Sequence, residues 1–283
     1  MRRTLLEIPI PFLDVSIPIY SYGLMMMIGF LFAVLVARRK ANYEGIDPYL
    51  VTDLAIYSLL GGIVGARLLF VTHHLSDYAK HPLEIFMIFK GGLSFYGGLL
   101  GAIVTGAVFC RNRGLSVLKC LDMGSVGGAI GLAFGRIGCF LNGCCYGDPV
   151  AGDFIFMVLF PKTKDAHGNI DGSPAYLHHL EEGWVGFADP ISLPVHPVQI
   201  YSALGAFVLF LVLSNVYAYK KRDGEIFLLF CILYAPMRFY WEILRDDSAP
   251  VLYGLTVSQV ISIPVFLLAL IFLIRGRRQL KKE

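Results

Sequence analysis

VQIYSALGAFVLFLVLSNVY, residues 198–217, runs for twenty residues without one charged side chain. As an α-helix it spans about 30 Å, the thickness of a bilayer's hydrocarbon core. A helix that is apolar on every side has no polar face to turn toward water, so this stretch reads as a membrane span. Working outward, Lys220, Lys221 and Arg222 flank it on one side, and on the other lies the only sizeable polar region, Asp148 to Pro194. Six more segments of the same kind occupy most of the remaining chain: about Tyr20–Ala37, Thr52–Val71, Leu93–Phe109, Val117–Phe140, Ile226–Ile243 and Val257–Ile274. The whole chain is 56% hydrophobic and 16% charged, with a mean hydropathy of +0.65, which excludes a water-soluble domain. The expected fold class is therefore all-α: a polytopic membrane protein of about seven transmembrane helices forming one domain over 1–283, with residues 148–194 as a small external lobe between spans four and five.

Two shorter segments fall outside this pattern. Residues 1–20 are broken by Pro9, Pro11, Asp14 and Pro18, too often for the apolar core of a cleavable signal peptide. Leu83–Phe89, bounded by Pro82 and Lys90, is too short to span and is expected to be an interfacial or re-entrant piece.

Orientation follows from the basic residues of alternate loops. One side carries fourteen, among them Arg38, Arg39 and Lys40, Lys220 to Arg222, and Arg275 to Lys282; the other carries six, and its long loop is acidic. The richer side is expected to be cytoplasmic, which sets the N-terminus outside and the C-terminus inside. A net charge of +3 distributed in this way reports topology, and nucleic acid is not an expected partner.

Four arginines remain once the loops are counted: Arg67, Arg136, Arg238 and Arg245. An arginine at membrane depth costs several kcal/mol unless it finds a partner, a wet cavity or an anionic ligand. Their spans run outward and each lies in the latter part, so the four are expected in the outer half of the membrane with Tyr20, Tyr22, Tyr96, His196, Gln199 and Tyr201. Arg238, Glu242 and Arg245 are spaced i, i+4 and i+7 on one helix face. Two arginines against one glutamate, with Arg136 adding a third, leave a cationic surplus that a phospholipid phosphate would neutralise. A self-contained structural ion pair is the plainer reading for Glu242.

Other features carry two readings. Glycines 61, 62 and 65, then 97, 98 and 101, then 124, 127, 128 and 131 fit close helix packing, while Gly91-Gly92 ahead of span three is also suited to presenting N–H groups to an anion. His196, before Pro197 at a span entrance, reads as a capping or interfacial histidine ahead of a catalytic one. Cys144-Cys145, with Cys139 nearby, admit packing, redox or metal-binding roles; metal sites prefer separated ligands, and packing is favoured.

GRIGCFLNGCCYG at 135–147 resembles the signature of the bacterial prolipoprotein diacylglyceryl transferases. GGLSFYGGLLG at 91–101, HPVQIY at 196–201, MRFYWEILRDD at 237–247, YSYGLMMMIGF at 20–30 and LTVSQVISIP at 255–264 are similar to further blocks of that family, in family order. The resemblance implies transfer of the diacylglyceryl group of phosphatidylglycerol to the cysteine thiol of an exported prolipoprotein's lipobox, next to its signal peptide, with release of glycerol phosphate. It implies a multi-pass protein of the bacterial inner membrane, active toward the periplasmic or outer leaflet, with no cofactor and no metal. It assigns catalytic roles to Arg136, Arg238 and Tyr96, and contacts with phosphatidylglycerol to Arg136, Arg238, Tyr22, Asn142, Gly147, Glu242, Arg245, Gly97 and Gly98. The chain departs from the family pattern at three positions: Tyr96 often His, Cys139 often Asn, and Cys144 often Glu. A tyrosine is a poor base near neutral pH, so Tyr96 is expected either to orient the lipid or to leave thiolate formation to the arginine field and water.

Overall fold

The computed structural model describes residues 4–10, 15–79, 82–87, 91–150, 152, 155–162, 172–247 and 250–279. Asp14, Lys80, Lys90, Lys164 and most acids of the long loop's centre lie outside the described residues.

A hairpin comes first. Strand β1 (Thr4–Ile10) pairs antiparallel with β2 (Val15–Tyr20), matching Ile8 to Ile17 and Ile10 to Val15. The helices follow: α1 (Ser21–Glu44), α2 (Pro48–His73), a single turn α3 (Leu75–Tyr78), a 3-10 turn at Pro82–Phe86, α4 (Phe95–Asn112), α5 (Val117–Asn142), a short α6 (Pro174–Glu181), α7 (Val198–Val216), α8 (Glu225–Ile243) and α9 (Val257–Gln279). Apart from the hairpin and isolated bridges, the regular structure among the described residues is helical. Six of these helices, α1, α2, α5, α7, α8 and α9, are long and apolar enough to cross a bilayer. The third expected span forms α4, whose 18 residues end in Arg111 and Asn112 and average less apolar than the six.

The chain divides into two compact units, residues 34–124 and residues 1–33 with 125–283. In the first, α2 and α4 touch backbone to backbone. A Cβ placed on Gly65 or Gly97 would strike the other's carbonyl oxygen, and one on Gly101 would strike that of Gly61, so this contact requires hydrogen at these positions. Gly98 faces Gly62 and Ala66 across the same seam. Arg67 belongs to this unit and is 6% exposed. Its guanidinium donates from Nε to Ile85 O at 2.8 Å, from Nη1 to Gly91 O and Gly92 O at 2.8 and 2.9 Å, and from Nη2 to Glu84 O. The glycine pair, at φ +87° and +74°, thus turns its carbonyls to a cation, where the sequence suggested N–H groups for an anion.

In the second unit α8 packs against α9 and α7. Polar ties hold α8 to α9 near both ends: Glu225 accepts from Arg277 at 2.7 Å, and Arg238 Nη2 donates to Ser258 Oγ at 2.8 Å. Between α5 and α7 the chain makes a small lobe around Tyr146, Phe160, Ala175 and Val195. Isolated bridges Pro149–Val195, Val158–Val195 and Pro161–Ile191 tie its loops together, and α6 starts on a Ser173 cap with Pro174 in its first turn.

Candidate active site

The last two turns of α5 deliver Arg136, Cys139 and Asn142, and the loop 143–147 then folds between the start of α7 and the end of α8. Gly143, at φ +77°, makes the turn; a Cβ there would meet Ser173 Cβ at 2.7 Å. Gly147 donates to His196 O at 3.0 Å and bridges to Arg245. A Cβ on Gly147 would sit 2.6 to 2.8 Å from Val198 Cγ2, Leu244 O and His196 Cβ, so the strand of chain passes there only without a side chain. Gln199 Nε2 donates to Cys144 O at 2.9 Å, and the Cys145 N–H donates to Asp247 Oδ2 at 3.1 Å. Held from both sides, Cys145 takes φ +60°, a left-handed conformation uncommon for a side-chain-bearing residue.

Three guanidinium groups gather here: Arg136 and Arg245 act on Cys145 of this loop, and Arg238 interacts with both of them. Arg238 Nη1 lies 2.6 Å from Glu242 Oε2 and Arg245 Nη1 lies 3.5 Å from the same oxygen. The Arg238–Glu242 approach is an ion pair without hydrogen-bonding angles: both atoms are buried and lack a hydrogen-bond partner. Arg245 Nε donates to Asp247 Oδ1 at 2.9 Å. Arg136 is half-buried, and among the described residues no carboxylate comes within ion-pair distance of it. Its charge reaches Arg238, Cys145 and Tyr22. Tyr22 rests its ring beside Gly138 on α5, where a Cβ would be 3.2 Å away. Thiol hydrogen bonds from Cys139 and Cys144 favour the thiolate of Cys145 and hold its pKa well below the usual thiol range, helped by Arg245 and Arg136 against the cost of burial.

The expected arithmetic of two arginines against Glu242 is corrected here. Asp247 joins Arg245, because the chain leaves α8 at Leu244 and turns its next carboxylate back onto the same guanidinium. The surplus that remains is Arg136.

A family model described as prolipoprotein diacylglyceryl transferase matches residues 10–275. The chain belongs to this family. Curated relatives named phosphatidylglycerol--prolipoprotein diacylglyceryl transferase agree along nearly its full length. The chain is 32% identical over 271 residues to the one from Finegoldia magna, covering 95% of each chain. It is 31% identical to that of Bacillus velezensis, covering 95% of this chain and 92% of the relative, and 33% identical to that of Geobacillus kaustophilus, covering 90% and 87%.

In this diacylglyceryl transferase family member, Arg136, Asn142, Gly147, Arg238, Glu242, Arg245 and Tyr22 all fall in one compact unit, with the first six on or beside the signature loop. Tyr96, Gly97 and Gly98 fall in the other unit: Tyr96 stands 48% exposed at the start of α4 with its ring edge-on to Phe95, and the two glycines line the α2–α4 seam. Arg67, grouped with the other arginines in the sequence, is spent on loop carbonyls of its own unit. His196 uses its main chain to pair with Gly147 and Asp148.

Sequence reasoning missed a second polar cluster in the lobe. His178, His179 and Asp246 each bring a polar atom within 4.8 Å of the others; His178 Nδ1 lies 3.6 Å from Asp246 Oδ2, and these two atoms and His179 Nε2 are buried without a hydrogen bond. The Leu193 N–H donates to His179 Nδ1 at 3.2 Å, which puts the proton of a neutral ring on Nε2 and leaves no lone pair there for a metal. The cluster suits a bridging water. Burial, then His178, lowers the pKa of His179, and burial raises that of Asp246 against the pull of His178. The only sequence signal was the His178-His179 pair itself.

Proposed function

We propose that the protein transfers the sn-1,2-diacylglyceryl group of phosphatidylglycerol to the lipobox cysteine of exported prolipoproteins, at the outer face of the bacterial inner membrane. The observation that carries the proposal is the imbalance of charge: of three mutually interacting arginines, two are met by Glu242 and Asp247, and Arg136 has no acid within ion-pair distance among the described residues. A phosphodiester supplies the missing negative charge.

In the proposed reaction the substrate thiolate attacks the glycerol carbon esterified to phosphate. The new S–C bond forms as the C–O bond breaks, the electron pair goes to the phosphate oxygen, and glycerol phosphate departs with the added charge. Guanidinium groups fixed beforehand stabilise that charge as it develops. Arg136 and Arg238 are assigned to the phosphate and leaving group. Glu242 and Arg245 orient Arg238 and the headgroup, Tyr22 and Asn142 contact the lipid, and Gly147 gives the loop its path. For Tyr96, Gly97 and Gly98, lipid contact rests on the family blocks alone.

The topology that serves this reaction has seven spans with α4 included, the N-terminus outside, the C-terminus cytoplasmic and the 148–194 lobe external, as the basic-residue asymmetry supports. The deciding experiment incubates purified protein with phosphatidylglycerol and a lipobox peptide and looks for a thioether-linked product by mass spectrometry. Product is expected; its absence under conditions where an established family member works would falsify the proposal.

A further inference from the structure

Three free thiols meet in the signature loop. Cys139 comes from the last turn of α5, Cys144 and Cys145 from the loop, and their three Sγ atoms lie within 4.8 Å of one another. The family reaction gives them no task, because the nucleophilic thiol belongs to the substrate.

The positions are held from outside the cluster. Gly143 N and Cys144 N both donate to Cys139 O, at 2.9 and 3.1 Å, which folds the loop back on the helix end. Gln199 fixes the carbonyl of Cys144, and Asp247 fixes the N–H of Cys145. A zinc-class ion bonds sulfur at about 2.3 Å, which places three sulfurs around it roughly 3.8–4.0 Å apart. The three sulfurs, at most 4.8 Å apart, exceed that spacing by no more than about 1 Å. Asn142, within hydrogen-bond reach of the Cys144 thiol, or a water is available for a fourth position.

Charge favours the same outcome. Three thiols and one divalent cation give a complex of net charge −1 and release three protons. Arg136 and Arg245 both act on this loop, and Arg136 has no carboxylate among the described residues. The completed complex becomes an anionic partner for Arg136. We propose that Cys139, Cys144 and Cys145 form a three-thiolate site for a soft divalent cation of the zinc class, and that filling it occupies the positive charge a phosphate headgroup needs. Metal binding stands independently of the proposed reaction; inhibition rests on it.

The test uses reduced full-length protein in detergent, with Co2+ as the probe. One equivalent is expected to give thiolate-to-cobalt charge-transfer absorption with the visible bands of tetrahedral cobalt, and Zn2+ is expected to displace it. Zn2+ is also expected to protect Cys139, Cys144 and Cys145, and not Cys110, Cys120 or Cys231, from alkylation read by peptide mass spectrometry on the native chain. Single changes Cys139→Ser, Cys144→Ser and Cys145→Ser are each expected to weaken cobalt binding at least about tenfold, and Cys110→Ser with Cys120→Ser to leave it unchanged. No charge-transfer band from the native protein, or a band that survives loss of all three cysteines, overturns the site. In the lipid-transfer assay, stoichiometric Zn2+ is expected to suppress turnover and a chelator to restore it. Full turnover with the site loaded overturns the inhibitory half alone, whereas no turnover with or without metal counts against the proposed reaction and leaves the cobalt result standing.

Discussion

Arg67 and Arg136 look alike in sequence, each a lone cation inside an apolar helix, yet the structure gives them opposite settings. Arg67 sends every nitrogen of its guanidinium to the carbonyls of Glu84, Ile85, Gly91 and Gly92, so its charge is absorbed by a loop that it also shapes. Among the described residues Arg136 has no such partner, and it stands near Arg238 and a loop rich in thiols. An arginine at membrane depth is therefore no sign of a ligand until its donors have been traced. The distinction lies in what surrounds the side chain.

The strongest way to break that contrast is to remove each cation in turn. Arg136→Ala is expected to cut lipid transfer at least about 10²–10³-fold, the loss typical of a donor to developing charge, while the thermal unfolding midpoint stays close to that of the parent; near-normal turnover would show that the phosphate assignment is wrong. Arg67→Ala is expected to do the reverse. Four carbonyls lose a charged donor in a buried setting, which costs about 3 kcal/mol or more, visible as a lowered unfolding midpoint and faster proteolysis in the 82–92 region. A smaller effect sharpens the role of the loop: Gly147→Ala forces a Cβ against Val198, Leu244 and His196 and is expected to cost about 1–3 kcal/mol, with turnover falling as the loop shifts and headgroup affinity falling with it.

Asp247→Asn tests the partner of Arg245. It keeps shape and one acceptor but removes the charge, and a loss of about 1 kcal/mol is expected, seen as a modest rise in KM with kcat nearly kept. The smallest effect concerns pH. Because burial and His178 lower the pKa of His179, the unfolded chain binds its proton more readily than the folded lobe does. Stability is therefore full above pH 6.5 and declines as pH falls below it toward the folded value. An unfolding midpoint that held steady or rose across that window would contradict the burial argument, and His179→Gln is expected to flatten the slope.

Much of the helical architecture was legible because a bilayer imposes a simple rule: about twenty residues without charge. The six long apolar helices approach that rule, with α2, α5 and α8 departing from it at Arg67, Arg136 and Arg238, and α4 meets it in length while its Arg111-Asn112 end lowers its average. The N-terminal hairpin was not legible. Pro9 and Pro18 read as breakers in a helical or central-strand context, but in a two-stranded ribbon both strands are edges and proline is tolerated there. In the site, helical spacing identified Arg238, Glu242 and Arg245 together, and the same reasoning could not find Asp247. It lies beyond the end of α8, where periodicity no longer says which way a side chain turns. Gly147 was visible in the signature block, but the three-sided contact that requires it became clear only with α7 and α8 in place. The cysteines lacked the spacing of a familiar metal motif, since one comes from a helix end and two from a folded-back loop.

The hydrogen bond from Cys145 to Asp247 joins residues 102 positions apart. At ribosomal speeds of about 5–20 residues per second, roughly 5–20 s pass between synthesis of the loop and arrival of the carboxylate that fastens it. During that interval α5 has already entered the bilayer while the adjacent thiols wait unclasped, so maturation of this centre is among the last events of biogenesis, and a nascent chain halted before residue 247 should carry Cys145 open to alkylating reagents.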